Sequence, residues 1–124
     1  MINIAIIDPN EIYRESLKLL LEQIDGFNVV LDTYDCDRFS AMIDDPIQVL
    51  LIDYSFGQDE QNELIADASR HGINTRSIIL TTFKEDIHSF PGKNDSILKM
   101  SGKKEFESRI RMLADECTRE TKIR

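Results

Sequence analysis

The sequence predicts an α/β fold in which helices cover both faces of a parallel β-sheet. Short apolar runs rich in β-branched residues alternate with segments whose apolar residues recur at helical spacing, and this alternation covers almost the whole chain. The length of 124 residues suits one domain, and 41% hydrophobic residues are enough to build a substantial core.

The spacing of apolar residues changes from that of a strand to that of a helix at Pro9, which marks the first strand and the first helix. Residues 2–7 form a short apolar run that is typical of a strand buried on both faces. We expect Asp8 to cap the helix that follows and Pro9 to occupy its first turn. Asp25 and Gly26 are expected to end this helix. Its apolar face comprises Tyr13, Leu17, Leu20, Leu21 and Ile24.

The next elements continue the alternation of strand and helix. Pro46 is expected to stop a weaker second helix, and Gly72 is expected to end the third. The third strand, IQVLLID, is the most hydrophobic run in the chain. Predicted strands cover residues 27–31, 47–53, 77–82 and 96–99, and predicted helices cover residues 36–44, 58–71 and 103–117.

The interval between the fourth and fifth strands breaks this pattern. Residues 83–95 should hold a helix, but they contain Pro91 and Gly92 and lack a sustained apolar stripe. We expect one or two helical turns at most over residues 84–88, followed by a loop. The chain as a whole is predicted to form one domain over residues 1–117, followed by a frayed polar tail or the start of a linker over residues 118–124.

Composition excludes several classes of function. The net charge of −8 repels the phosphate backbone of nucleic acids, so direct nucleic-acid binding by this chain is disfavoured. The apolar runs are too short for a transmembrane helix, and no secretory signal is visible, which predicts a cytoplasmic protein without membrane contact. Cys36 and Cys117 form no zinc-binding motif and are expected to be buried or half-buried thiols. The isolated His71 and His88 are expected at the surface or in loops.

Polar residues stand at the carboxyl ends of four predicted strands. Asp8 follows the first strand and Asp53 ends the third, while Thr81 and Lys99 stand at the ends of the fourth and fifth. Taken singly, each has a simpler explanation as a helix cap, a turn residue or a solvated side chain. Because the carboxyl ends of parallel strands meet at one edge of the sheet, we expect these side chains to converge there.

Such a group suits phosphoryl transfer to a carboxylate. One carboxylate can accept a phosphoryl group as a nucleophile, and a neighbouring carboxylate can help to hold a divalent cation that offsets the added charge. A hydroxyl and an ammonium group can then bind the phosphate oxygens.

These residues and their spacing resemble the receiver domains of two-component response regulators, especially those that precede LuxR-type (NarL-type) DNA-binding domains. Residues 8–22 read DPNEIYRESLKLLLE, beside a family pattern such as DDHPLVREGLRALLE. The stretches VLLID, IILTTF and ILK place Asp53 at the family's phosphoacceptor, Thr81 at its conserved hydroxyl and Lys99 at its conserved lysine. The resemblance spans residues 2–117.

The resemblance implies a fold, a cofactor and partners. It implies a CheY-like, flavodoxin-like doubly wound sheet of five strands in the order 2-1-3-4-5, with a degenerate fourth helix. Asp53 would accept phosphate from a histidine kinase or phosphotransfer protein and control an output domain or partner, in keeping with regulation of transcription. Mg²⁺ would be held by Asp8, Asp53 and the main-chain carbonyl of Ser55. The domain would be no enzyme beyond self-phosphorylation and dephosphorylation at Asp53, and a homodimer is compatible with the pattern.

Departures from the family pattern keep a second interpretation open. Pro9 stands where the family carries a second acid, which weakens the expected Mg²⁺ site. Ser96 replaces the aromatic residue that moves on activation, and the interval from Thr81 to Lys99 is short. These departures favour a pseudo-receiver, a phosphorylation-independent module for protein interaction or dimerisation.

Two other classes fit the sequence less well. A small phosphatase of the haloacid-dehalogenase type also uses a strand-end aspartate as its nucleophile, but it needs a second Asp where this chain has Asn10. A flavodoxin-like cofactor binder needs a phosphate-binding loop rich in Ser, Thr and Gly after the first strand, and none is present.

Overall fold

The strands assemble into one parallel sheet. A computed structural model describes residues 1–71, 73–83 and 95–123. The strand order is β2-β1-β3-β4-β5, and all four neighbouring pairs are parallel. The α/β class and the predicted strand order are therefore confirmed. The strands are β1 (Ile2–Ile7), β2 (Phe27–Thr33), β3 (Val49–Asp53), β4 (Arg76–Thr81) and β5 (Asp95–Leu98).

Helices connect these strands and lie on both faces of the sheet. Within the described ranges they are α1 (Glu11–Glu22), α2 (Cys36–Met42), α3 (Gln58–Ala68), which continues into a short 3₁₀ turn (Ser69–His71), and α4 (Lys103–Ile123). None of these helices is long and apolar enough to cross a membrane. Gly72, His88, the predicted turns over residues 84–88 and the loop after them lie outside the described residues.

The start of α1 differs from its prediction. Asn10 caps the helix, because its side-chain oxygen accepts a hydrogen bond from the Tyr13 amide at 3.0 Å. Asp8, the predicted cap, instead accepts from the Asn10 amide at 2.8 Å. The Asp8 amide is still bonded to the carbonyl of Thr33, so Asp8 continues the path of β1 and Pro9 lies before the helix rather than in its first turn. The predicted Asp8 cap was therefore wrong.

The last helix continues beyond its predicted end. Its apolar stripe stops at the buried Cys117, as expected, but α4 runs on to Ile123. Residues 118–123 contain no Pro or Gly, so nothing in them interrupts a helix that the core has already nucleated. The predicted helix end at residue 117 was therefore wrong, while the polar tail or start of a linker over residues 118–124 stays a prediction.

Alternate residues of the central strands build two separate cores. Ile4 and Ile6 pack with residues of α1 and α4 on one face of the sheet. Ala5 and Ile7 pack with residues of α2 and α3 on the other face. The alternation follows from the two-residue period of a strand. Because β1 and β3 lie inside the sheet and are covered on both faces, the residues at their carboxyl ends are largely shielded from solvent.

Candidate functional site

Three of the predicted site residues meet at the carboxyl edge of the sheet. The Lys99 Nζ lies 2.7 Å from the Asp8 Oδ2 and 2.5 Å from the Asp53 Oδ1. Asp8 is 1% exposed and Asp53 is 4% exposed, while the Lys99 side chain is 16% exposed. We call these three residues the acidic pocket. Its two carboxylates share one ammonium group, so the pocket carries a net negative charge when both acids are ionised.

Strand register explains why these residues meet. Ile7 of β1 pairs with Ile52 of β3, so the next residues along the two strands, Asp8 and Asp53, come side by side. Lys99 follows the last residue of β5, and its amide donates to a main-chain carbonyl of β4 at 2.8 Å. Parallel pairing thus carries all three to one edge.

In each carboxylate, one oxygen accepts hydrogen bonds from a residue two positions along the chain, and the other oxygen contacts Lys99. The Asp53 Oδ2 accepts from the Ser55 amide at 3.0 Å and from the Ser55 hydroxyl at 2.5 Å. The Asp8 Oδ1 accepts from the Asn10 amide. Among the residues that the structure describes, the remaining Asp8 Oδ2 and Asp53 Oδ1 contact only the Lys99 ammonium group.

These contacts set opposite pKa shifts on the two acids. Burial raises the pKa of Asp8, and the nearby charge of Asp53 adds to the effect, while the contacts with Lys99 and Asn10 only partly offset it. Burial also acts to raise the pKa of Asp53, but hydrogen bonds from Lys99 and Ser55 outweigh it and leave this pKa lowered. Asp53 is therefore a carboxylate at neutral pH.

Lys99 keeps its positive charge in this buried position. Burial alone would lower the pKa of Lys99, but the hydrogen bonds with Asp53 and Asp8 outweigh that effect and raise it. A protonated lysine between two carboxylates can form an ion pair with a new negative charge on either of them, such as that of an added phosphoryl group.

Thr81 lies beside the acidic pocket without joining it. It is fully buried at the end of β4, one residue beyond the residue that pairs with Asp53. Its hydroxyl donates to the main-chain carbonyl of Phe83 at 3.3 Å. The strand therefore brings Thr81 to the predicted edge, while its hydroxyl is directed along its own chain in this structure.

Sequence reasoning missed the contacts of three residues around the pocket. Ser55 was assigned only a main-chain carbonyl, yet its hydroxyl contacts Asp53; a small hydroxyl residue two positions after a strand-end Asp is a recognisable turn signal. Arg14 donates to the Asp8 carbonyl at 2.6 Å and pairs with Asp32 at 3.4 Å. Tyr13, which was predicted only to pack in the core, contacts Lys99.

The oxygen atoms of the pocket fit a magnesium site, but with fewer protein ligands than the family pattern supplies. Mg²⁺ is commonly bound by one or two carboxylates together with water, and Asp8 and Asp53 supply two. The Ser55 carbonyl is the third ligand that the resemblance implies. Pro9 supplies none, and the described part of the chain holds no cluster of three or more His, Cys, Asp or Glu suited to a metal. One oxygen of each carboxylate already contacts Lys99, so a metal ion bound there would compete with this lysine.

The cysteines add no second site. Cys117 is buried and Cys36 is half-buried, as the sequence predicted. Burial, with the charges of Glu60 and Glu63, raises the pKa of Cys36 to about 11. Its thiol is therefore protonated at neutral pH and is a poor nucleophile.

Known structures with the same architecture identify the fold. The receiver domain of the putative response regulator NarL from Mycobacterium tuberculosis matches with a TM-score of 0.71 and 18% identity, over 92% of this chain and 96% of that chain. This chain has the receiver fold. The predicted resemblance to response-regulator receivers, NarL-type receivers among them, is confirmed at the level of structure.

Two further matches extend the comparison of this receiver fold. The response regulator ChrA of a heme-sensing two-component system matches with a TM-score of 0.68 and 21% identity, over 92% of this chain. The present chain spans only 57% of the ChrA chain. A chain from the complex of the CheA3 P1 domain with CheY6 of R. sphaeroides matches with a TM-score of 0.68 and 18% identity, over 90% of this chain and 95% of that chain. No family profile and no curated protein sequence matches this chain.

Proposed function

We propose that this domain is a two-component receiver that accepts a phosphoryl group on Asp53. The observation that carries the proposal is the convergence of Asp8, Asp53 and Lys99 in one buried pocket at the carboxyl edge of a receiver sheet. Asp53 suits the role of nucleophile, because it is ionised and because its oxygens are held in place by Lys99 and Ser55.

The proposed reaction transfers phosphate from a phosphohistidine or a small phosphodonor. An Asp53 carboxylate oxygen attacks phosphorus, the bond from phosphorus to the donor breaks, and the donor leaves with the bonding electrons. A histidine imidazole carries a proton when it leaves as the neutral ring, whereas acetate leaves as the anion. Lys99 neutralises part of the charge that develops on the phosphoryl oxygens. A bound Mg²⁺ would offset the charge of the incoming phosphoryl group, with Asp8, Asp53 and the Ser55 carbonyl as its protein ligands. Thr81 could bind a phosphate oxygen after its hydroxyl rotates away from Phe83.

Partners and location follow from the same proposal. A histidine kinase or phosphotransfer protein in the cytoplasm would supply the phosphate, and the match to the CheA3–CheY6 complex supports a partner of that kind. The longer ChrA regulator, of which this chain covers 57%, supports control of an output domain, and we propose transcription as the regulated process. A homodimer remains compatible with this role.

The decisive experiment follows intact mass after incubation with Mg²⁺ and acetyl phosphate. We expect a mass gain of one phosphoryl group in the wild-type domain and in Asp59→Asn, which removes an exposed acid of α3. Asp53→Asn should show no gain, because the nucleophilic carboxylate is absent. An adduct of equal yield in Asp53→Asn would rule out Asp53 as the acceptor.

The pseudo-receiver is the second candidate, and one observation favours it. Lys99 already occupies one oxygen of each carboxylate, while Pro9 supplies no further acid to attract a metal ion. If neither acetyl phosphate nor beryllofluoride changes the mass or the amide spectra, phosphorylation is excluded and a binding role for the same fold is favoured.

A further inference from the structure

Tyr13 of α1 contacts Lys99 in two ways. The Lys99 Nζ lies 4.8 Å from the centroid of the Tyr13 ring, which is the geometry of a cation–π contact. The Tyr13 hydroxyl donates to the Lys99 main-chain carbonyl at 3.1 Å. The first helix of the domain is thereby joined to the residue that follows its last strand.

The ring and the hydroxyl restrict different parts of Lys99. A lysine side chain has a flexible four-carbon stem, and its ammonium group can meet many acceptors unless something confines it. The Tyr13 ring is a third neighbour of the ammonium group beside Asp8 and Asp53, and it further restricts where that group can move. The hydroxyl holds the main chain from which that side chain starts.

Simple packing does not account for both contacts. Tyr13 is half-buried against the core on the α1 face of the sheet, and a leucine or phenylalanine could fill that space. Neither residue could donate to the Lys99 carbonyl, and leucine has no ring face to attract the ammonium group. Burial, together with the charges of Asp8 and Asp53, raises the pKa of Tyr13, so its hydroxyl stays protonated and able to donate.

We propose that Tyr13 is a positioning residue for Lys99, which it holds between Asp8 and Asp53 and so couples the acidic pocket to α1. The coupling rests on the proposed function: a phosphoryl group on Asp53 draws the ammonium group away from its present contacts, and the Tyr13 ring then loses its cation. Ser96 lacks the aromatic side chain that the receiver resemblance leads one to expect, whereas Tyr13 is an aromatic residue in direct contact with the pocket lysine.

Nuclear magnetic resonance of the Lys99 side chain tests the positioning without any phosphorylation. We expect the Lys99 Cε protons to resonate upfield of those of the other lysines in the wild-type domain and in Tyr13→Phe, because the ring current shields them. They should move downfield in Tyr13→Leu. Tyr34→Leu is the matched control, since Tyr34 is a tyrosine beside a different cation, Arg38, and it should leave Lys99 unchanged.

Tyr13→Phe also isolates the hydroxyl. It should shift the Lys99 carbonyl carbon resonance, because that carbonyl loses a donor, while the side-chain protons stay shielded. This variant and the wild-type spectrum decide the positioning even if Tyr13→Leu does not fold. Lys99 protons that coincide with those of exposed lysines in the wild-type domain would overturn the proposal.

Phosphorylation kinetics test the consequence for the pocket. With acetyl phosphate and Mg²⁺, Tyr13→Leu should slow adduct formation roughly two- to fivefold, as expected for the loss of one partly buried cation–π contact, and Tyr13→Phe should recover most of the rate. An unchanged rate in Tyr13→Leu would refute the coupling to phosphorylation. A wild-type domain that forms no adduct would refute the proposed function, and the resonances would still decide whether Tyr13 positions Lys99.

Discussion

At the scale of single residues, the acidic pocket is a balance of buried charges. Two carboxylates that are almost wholly buried would repel each other, and each would be costly to ionise without a partner. Lys99 supplies the charge that both need, while Ser55 and Asn10 bind the remaining oxygens. Removing a central cation should therefore cost much more than removing a surface charge.

Lys99→Met should lower the free energy of unfolding at pH 7 by about 3 kcal/mol, because removing one partner of a buried ion pair leaves the other charge buried without compensation. Urea unfolding at pH 7 measures it, with the exposed Lys104→Met as a control that should change stability by under about 0.5 kcal/mol. A loss equal to that of the control would mean that the pocket charges are solvated.

The same variant should respond to pH in a defined direction. In the wild-type domain, the lowered pKa of Asp53 contributes stability above its ordinary value of 3.8, and the raised pKa of Lys99 contributes stability below its ordinary value of 10.5. The contribution of Asp53 is lost as pH falls below 3.8, and the contribution of Lys99 is lost as pH rises above 10.5. The raised pKa of Asp8 has the opposite sign, because the cost of its ionisation is relieved as pH falls. Without Lys99 both acids should carry raised pKa values, so the deficit of Lys99→Met should shrink between pH 7 and pH 5.

Pro9→Asp should strengthen Mg²⁺ binding about tenfold, because a third carboxylate adds both a ligand and a negative charge to the pocket. Titration calorimetry measures the affinity. Pro9→Ala is the matched control, since it removes the proline ring without adding a ligand. Equal affinities in the two variants would show that position 9 does not face the metal site.

At the scale of secondary structure elements, α4 holds the edge strand β5 in place. Arg109 donates to the Asp95 carboxylate at 3.1 Å through Nε and to the Ser96 carbonyl at 2.6 Å through Nη2. Both acceptors lie on β5, and Lys99 directly follows that strand. The helix thereby stabilises the strand that brings the pocket lysine to its carboxylates.

Arg109→Met should lower the free energy of unfolding by about 1–2 kcal/mol, because the strand loses charge-assisted hydrogen bonds while the aliphatic packing is kept. Urea unfolding measures the change. The exposed Lys104→Met again serves as the control, since it removes a charge from the first turn of the same helix. An Arg109→Met variant as stable as this control would argue against the contact in solution.

At the scale of the whole molecule, the sheet separates two cores that share only the strands. Among the residues that the structure describes, Phe39 of α2 and Phe106 of α4 are the largest fully buried side chains, and each belongs to a different core. Phe39 and Phe106 contact different side-chain clusters, on opposite faces of the sheet. Their energies should therefore add, even though one cooperative transition unfolds both.

Phe39→Leu and Phe106→Leu should each lower the free energy of unfolding by about 1–2 kcal/mol, and the double variant should lose the sum within about 0.5 kcal/mol. Chemical unfolding of the four proteins forms a complete double-mutant cycle. A coupling larger than about 1 kcal/mol would show that the two cores are linked through the sheet.

The sequence by itself determined the α/β class and the residues at the strand ends. Strand and helix periods, with Pro and Gly between elements, are local signals, and parallel pairing turns four separate strand ends into one edge. The prediction that these edge residues take part in phosphoryl transfer, rather than acting as caps or turn residues, came from the resemblance as much as from the pattern.

Only the tertiary structure decided how each polar side chain is used. Asp8 and Asn10 are both good helix caps, and the choice between them depended on β1 extending as far as the Asp8 amide. Tyr13 and Lys99 are 86 positions apart, and nothing local indicates that one would lie over the other. A side chain takes the partner that the fold places nearest, and this depends on strand register and packing rather than on sequence neighbours.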